Sequence, residues 1–401
     1  MGDKSAFVGG MKLKISELGK VITGNTPSKK IKEFWDKDDV GFVKPDIISD
    51  EHIVKIKNED CNEFISNAAI SKARIVPKNS IFVTCIGNIV KIGVATENLA
   101  FNQQINAIIP NENVNLDYLC YAIFANKTRL QDIANAPIVP LLNKSQFSEF
   151  ELEFDMDINT QTRIVNELNT VSNIILKYKQ ELLLLDELVR ARFVEMFGDP
   201  NIEFKYSSVK FNDLVARMTK GPFGSDMKKD LFVPKGEDTY KVYIQINAIQ
   251  KNQSLGEYYI SKEYFDRKVS RFELFPNDYI ITCDGTLGKY LKLDENMEKG
   301  VISPSLLRLT LQNDKINDKY FENIWDFYML VLMKKEARNA CLVHLPSAKK
   351  IGEISIPVPP LELQNQFASF VEEVDKSRSR IQKSLEASQE LFDSLMQEYF
   401  G

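Results

Sequence analysis

Two stretches of the chain repeat one apolar pattern at a distance of 203 residues, and this repeat restricts the fold more than any other feature. Between Asn159 and Phe197 there is neither proline nor glycine, and apolar residues fall at Ile164, Leu168, Val171, Ile175, Tyr178, Leu182, Leu185, Val189, Phe193 and Met196. The steps alternate almost throughout between four and three, the heptad spacing that gives a helix one continuous apolar seam. Adding 203 to each number gives Phe367, Val371, Val374, Arg378, Ile381, Leu385, Ser388, Phe392, Met396 and Tyr399. Gly198, where the first segment stops, maps onto Gly401; glycine just past the last apolar position is a common helix end.

At 1.5 Å per residue each segment predicts a helix of about 55 to 60 Å. Neither can bury its stripe alone, so the two are expected to pair within the chain, antiparallel because a compact domain separates them. The expected pairing residues are Ile164, Leu168, Val171, Ile175, Leu182, Leu185 and Val189 on one side, and Phe367, Val371, Val374, Ile381, Leu385 and Phe392 on the other. Arg378 and Ser388 interrupt the second seam, either to set register or meet a partner, or as tolerated polarity.

Ahead of each helix lies a mixed segment with the same order of signals. "LKISELGKVITGNTPSKK" (13–30) is echoed by "VKFNDLVARMTKGPFGSDMKK" (209–229), and "VGFVKPDII" by "KVYIQINAI". "IFVTCIGNIVK" (81–91) is echoed by "YIITCDGTLGK" (279–289), with Thr84 and Thr282, Cys85 and Cys283, Gly87 and Gly285 all 198 residues apart. "FNQQINAII" and "VISPSLLRLTL" follow, then helical patterns around 117–134 and 318–338. Strand signals with two or more helices per unit predict an α+β fold. It has two tandem mixed α/β domains, each followed by a long helix, with a pseudo-two-fold relation between the halves. The expected boundaries are 11–156 and 199–358 for the domains and 157–198 and 359–401 for the helices; residues 1–10 show no pattern and are set aside as a leader.

The chain offers little material for catalysis. Of its 401 residues only His52 and His344 are histidines, too few for a Ser-His-Asp triad or a histidine-held metal, and both are read as surface or packing residues. Cys61, Cys85, Cys120, Cys283 and Cys341 form no CxxC pair, which speaks against disulfides and zinc and for reduced, buried thiols. The two TCxG copies have no histidine near them in sequence and are read as framework strands. In "VPPLELQ" (358–364) Val358 and Leu361 stand where an amino-methyltransferase needs a polar group and an aromatic, and no glycine-rich cofactor loop occurs. Pro45-Asp46 could open a metal-dependent nuclease site. No Glu-x-Lys follows it, and the repeat sets Asn247 where Asp46 stands. No GxxxxGK[ST] phosphate loop is present. With 44% hydrophobic and 27% charged residues, a net charge of −5 and no 20-residue apolar run, the expectation is a cytoplasmic protein with no membrane span.

A binding scaffold remains. Its candidate contacts to nucleic acid are Thr23, Gly24, Asn25, Thr26, Ser28, Lys29 and Lys30 in the first loop, and Lys220, Gly221, Ser225, Lys228 and Lys229 in the second. Such loops offer backbone N–H groups, hydroxyls and ammonium groups to phosphates, while amide side chains read base edges. Lys44, Asn102, Gln103 and Gln104, with Gln245, Asn247, Ser303 and Ser305, stand in the adjoining repeated stretches. Asn88 and Lys91 follow the glycine of one TCxG copy, and Thr286 and Lys289 that of the other.

The twofold repeat, "GNTPS", "VKPDI", "CIGNIVKIG" with "FNQQINAI", "ARFVEMFGDP" closing the first helix and "IPVPPLELQNQF" opening the second resemble the specificity (S) subunit of Type I restriction-modification systems over 12–401. The first helix departs from it, with "FDMDINTQTRIV" in place of the proline entrance and only Gln161 matching Gln364. The resemblance implies a non-catalytic protein whose two target recognition domains each read half of a bipartite double-stranded DNA sequence. It implies helices that set the spacing and dock two modification (methyltransferase) subunits, with restriction subunits added. No cofactor is expected in this chain; S-adenosylmethionine, ATP and magnesium would belong to the partners. Because the loops differ, the half-sites should differ. The alternative is a two-domain coiled-coil adaptor that binds proteins without DNA specificity.

Overall fold

A computed structural model describes residues 10–134, 139–199, 202–250, 256–337 and 344–401. Cys341, Arg338 and nearly all of the leader lie outside them. The chain divides into two compact units, cut between Lys179 and Gln180 and again between Ile381 and Gln382. Each unit holds one mixed domain, the first part of the long helix after it and the last part of the other helix.

In the first unit a five-stranded sheet runs in the order Gly19–Thr23, Ile105–Pro110, Ile81–Thr84, Ile92–Ala95, Val54–Ile56. A second sheet runs Phe64–Ile65, Val40–Val43, Leu99–Phe101, Ile75–Val76. The second unit repeats both. Its larger sheet is Val215–Lys220, Leu306–Leu311, Tyr279–Thr282, Tyr290–Lys292, one edge strand fewer, and its smaller sheet is Tyr258–Ser261, Thr239–Tyr243, Gly300–Ile302, Glu273–Leu274. Val40–Val43 lies parallel to Leu99–Phe101, as Thr239–Tyr243 does to Gly300–Ile302. All four residues of Ile81–Thr84 and of Tyr279–Thr282 are buried, as β-branched and aromatic runs in central strands should be.

Two of the repeated stretches prove to be pairs of strands. "FNQQINAII" and "VISPSLLRLTL" each leave the small sheet, turn at Asn102–Gln104 or Ser303–Ser305, and enter the large one. "VGFVKPDII" is a strand only to Val43, because Pro45 lacks the N–H a ladder needs and starts a short helical turn over Pro45–Ile47. Its echo ends at Tyr243, followed by a helix over Gln245–Ala248. The helical pattern around 117–134 is likewise two helices, Leu116–Ala125 and Lys127–Ile133, separated at Asn126, whose side chain donates back to the Ala122 carbonyl at 2.9 Å.

The long helices span Ile158–Phe197 and Leu361–Phe400, 40 residues each. In the first unit Ile164, Val165 and Leu168 share a core with Met396 and Tyr399. The Tyr399 hydroxyl donates to Glu167, and the Arg163 guanidinium stacks over its ring. In the second unit Val189, Phe193 and Phe197 share a core with Phe367, Val371 and Val374, with the Phe193 and Phe367 ring centres 5.6 Å apart. The start of one helix against the end of the other is antiparallel pairing. Val171 and Ile175 are buried in the first unit, while Leu182, Leu185, Ile381, Leu385 and Phe392 are half-buried. The Arg378 guanidinium pairs with Asp186 of the other helix and with Asp375 of its own; Ser388 bonds back to its own helix at the Ser384 carbonyl.

Candidate nucleic-acid interface

The corner at which the chain changes sheets gathers three of the repeated stretches. In the first unit the Asn102 N–H donates to the Val43 carbonyl at 3.2 Å, the Cys85 N–H to the Gln104 carbonyl at 2.8 Å, and the Gly24 N–H to the Ile105 carbonyl at 3.0 Å. In the second unit the Ser303, Cys283 and Gly221 N–H groups make the same bonds to Tyr243, Ser305 and Leu306. Glycine at 24 and 221 is a packing requirement: a Cβ there would sit 2.1 Å from the Asn102 carbonyl oxygen or 2.0 Å from that of Ser303.

These bonds correct two readings. The N–H groups of Gly24, Asn25 and Gly221 are not free for phosphate, since that of Asn25 donates to Phe101. Val43 also corresponds to Tyr243, so three residues on Asp46 stands opposite Ile246, not Asn247. An isoleucine there removes a duplicated metal-holding acid more completely than an asparagine would.

The TCxG strands end in identical turns. The Thr84 hydroxyl accepts from the Lys91 N–H at 3.0 Å and donates to the Asn88 carbonyl at 2.8 Å; Thr282 accepts from Lys289 at 3.0 Å and donates to Thr286. Gly87 and Gly285 hold φ of +78° and +69°, a conformation glycine adopts without strain. Both cysteines are buried, which pushes the Cys85 thiol up to about 12 and that of Cys283 up to about 11. Neither is a thiolate nucleophile at neutral pH. A histidine does stand beside the second copy, distant in sequence: His344 pairs with Asp284 through a strand bridge whose twin is Ile86 with Leu141.

Around this framework the candidate side chains separate into groups. Thr26 and Gln103 are exposed and joined at 2.6 Å. The Thr23 hydroxyl is engaged by Asn106, and Asn102 is buried with its amide on Gln104. Asn25 donates to the Lys72 carbonyl, leaving its amide oxygen buried without a partner. The amide of Asn247 likewise donates to Gly256 while its oxygen has none. Glu63 ties down Lys29 at 3.1 Å and also Lys44. Asp50 accepts from Asn88 at 2.6 Å and lies 3.6 Å from Lys91. Ser28, Lys30, Ser225, Lys228, Lys229, Thr286 and Lys289 are exposed, with Lys220, Gln245 and Ser305 half-exposed and Ser303 buried. Gln245 reaches the second TCxG turn, its amide nitrogen 3.8 Å from where a Cβ of Gly285 would lie. Glu63 and Phe223 escaped the sequence reading. Glu63 lies 34 residues from Lys29 with no local signal; Phe223 sat visibly between two glycines in a lysine-rich loop. Among the described residues no group of histidines, cysteines and carboxylates is placed to hold a metal ion, and no helix is long and apolar enough to cross a membrane.

Two copies of one corner-and-loop framework, carrying different side chains, define a duplicated scaffold. A sequence model of the Type I restriction modification DNA specificity domain matches it twice, at 9–184 and 224–389. The chain belongs to that family. The specificity subunit of Type I restriction enzyme MjaIX from Methanocaldococcus jannaschii is 30% identical over 203 residues, 48% of this chain and 46% of that protein. That of HindI from Haemophilus influenzae is 34% identical over 142 residues, 34% of this chain and 30% of that protein. The chain thus spans about half the length of the first relative and under a third of the second. The S subunit of the Type I system of M. genitalium shares the fold, with a TM-score of 0.56 over 100% of this chain and 99% of that one at 15% identity. A chain from a structure describing complex assembly and conformational transition of the type I R-M system scores 0.56 over 97% of both at 13% identity.

Proposed function

We propose that the chain is a non-catalytic DNA sequence-specificity subunit of a Type I restriction-modification complex, each unit reading one half of a bipartite duplex target. The observation that carries this reading is that each match of the family domain takes in one copy of the corner, all of it in the first unit and all but Gly221 in the second. Its hydrogen bonds are kept while the residues on it change from Asn102, Gln103 and Gln104 to Ser303, Pro304 and Ser305. A fixed frame with different side chains is what reading two unlike half-sites requires.

The paired helices set the gap between half-sites and carry two modification subunits, with restriction subunits joining them. S-adenosylmethionine, ATP and magnesium are used by those partners. The need for protein partners is supported by leucines that the second unit leaves in water on the first helix: Leu183, Leu184 and Leu188 are 65%, 53% and 47% exposed.

Selection from randomised duplexes, with and without candidate modification subunits, tests the proposal. The expected product is two short conserved blocks separated by a constant gap. Four residues inserted into one long helix should change the gap and leave both blocks intact. No enriched sequence in either condition overturns the proposal in favour of a protein-binding adaptor.

A further inference from the structure

Phe223 is 79% exposed at the apex of the second loop. The loop is anchored just before it, where the Gly221 N–H donates to the Leu306 carbonyl at 2.8 Å and Pro222 is buried. It is closed just after it, where Asp226 and Met227 donate to the carbonyls of Phe223 and Gly224 at 2.8 and 3.2 Å. The ring is therefore held outward by a short, bonded turn. Gly24 and Gly221 share one hydrogen bond in the two frames, so the first-unit counterpart of Phe223 is Thr26, whose hydroxyl bonds Gln103 at 2.6 Å. The counterpart of Gln103 is Pro304. At the same apex one unit presents hydrogen-bonding groups and the other an apolar ring with none.

Resting on the function proposed above, we infer that Phe223 is a specificity-determining residue of the second unit, contacting the 5-methyl group of a thymine in its half-site. Ser225, Lys228 and Lys229 beside it are exposed and suit phosphate contacts, which brings the apex to the groove. The thymine methyl is the apolar group displayed on base edges in the major groove, and phenylalanine matches it. A wedge driven between base pairs would need an apolar platform to hold the unstacked bases; Pro222 is buried and Met227 packs against the small-sheet core, and the exposed neighbours Gly224, Ser225, Lys228 and Lys229 provide none.

The full chain, with its modification partners, is put through duplex selection as wild type, Phe223→Ser and Phe223→Leu. Wild type should enrich thymine at one position of one half-site. Phe223→Ser should lose that preference alone, with affinity for the selected site falling about fourfold, one methyl group's worth of apolar burial. Phe223→Leu should keep most of it. Replacing that thymine by deoxyuridine should weaken wild type to a similar degree and leave Phe223→Ser unchanged, a comparison that needs no altered protein for its first arm. Identical selections by wild type and Phe223→Ser, or indifference of wild type to deoxyuridine, overturn the inference alone. Failure of wild type to select any sequence overturns the proposed function, and the inference with it.

Discussion

The side-chain oxygen of Gln364 accepts from the backbone N–H of Asn317 at 2.8 Å, and Gln161 makes the same bond to Asn115 at the same distance. Both glutamines are fully buried at the start of a long helix, and both asparagines cap a helix of the preceding domain. The amide nitrogens are used as well: that of Gln161 donates to Asp155 at 2.6 Å and that of Gln364 to Pro359 at 2.8 Å. Each glutamine joins a domain to its helix through buried polar groups. Replacing either with alanine strands those groups and should cost about 2 kcal/mol. Trp35 lies in the first unit and Trp325 in the second, so denaturant titration read by fluorescence in single-tryptophan variants should show Gln161→Ala acting on the first signal and Gln364→Ala on the second. Equal loss at both signals from either change would refute separate anchoring.

Thr84→Val keeps the shape of a buried side chain and removes its hydroxyl, leaving the Lys91 N–H and the Asn88 carbonyl without the bonds they now make. The expected cost is roughly 1–3 kcal/mol, and Thr84→Ser should recover most of it. Because the turn carries Asn88 and Lys91, duplex selection with Thr84→Val should blur one block only, and Thr282→Val the other. A change in both blocks from one substitution would show that the turns do not act locally.

The repeats and the heptad seams were legible in the sequence because they rest on periodicity: Ile158–Phe197 and Leu361–Phe400 are matching helices, and Arg378 stood out as polar in an apolar row. The sheet switch at Asn102–Gln104 was not, since each sheet needs the same apolar run and only long-range pairing separates the run into two strands. Side-chain availability was also hidden. Lys29 and Lys44 read as free cations until folding brought Glu63 between them, and His344 reaches Asp284 from 60 residues away. Buried Val90 is a further case, at φ +63° where the twin position has Gly288; no local rule places valine there.

In one lysine-rich cluster of the second unit Glu257 and Glu298 are charged below their ordinary pH range. Hydrogen bonding from Lys235 and Lys241 holds Glu298 below its usual 4.5, and bonding from Lys241 and Tyr259 does the same for Glu257. A lowered carboxylate value stabilises the fold above about 4.5, and the contribution is lost as pH falls through the lower, folded-state values. Both groups are well exposed, at 38% and 49%, so the contribution is no more than about 1 kcal/mol after solvent screening. Melting temperatures between pH 6 and pH 3 should fall less steeply for Glu257→Gln with Glu298→Gln than for wild type. Equal slopes would remove this cluster from the acid response.

Glu63 restrains the first unit's positive charge. Burial pushes its carboxyl up, but the hydrogen bonds and charges of Lys44 and Lys29 more than offset this and hold it below the ordinary value. Lys29 also lies over the Trp35 ring, 5.1 Å from its centre. Glu63→Gln keeps the side chain's shape and frees both ammonium groups. Since each phosphate neutralised steepens the salt dependence of binding by about 0.9, the variant should bind duplex DNA more tightly at low salt, with a slope steeper by about 1 to 2 and no change in sequence preference. Partly exposed ion pairs contribute at most about 1 kcal/mol, so the fold should tolerate the change. Lys30, which has no ion pair among the described residues, should lose more affinity as Lys30→Ala than Lys29→Ala does, because Lys29 must first leave Glu63. A salt slope in Glu63→Gln equal to that of wild type would mean that neither Lys29 nor Lys44 reaches a phosphate.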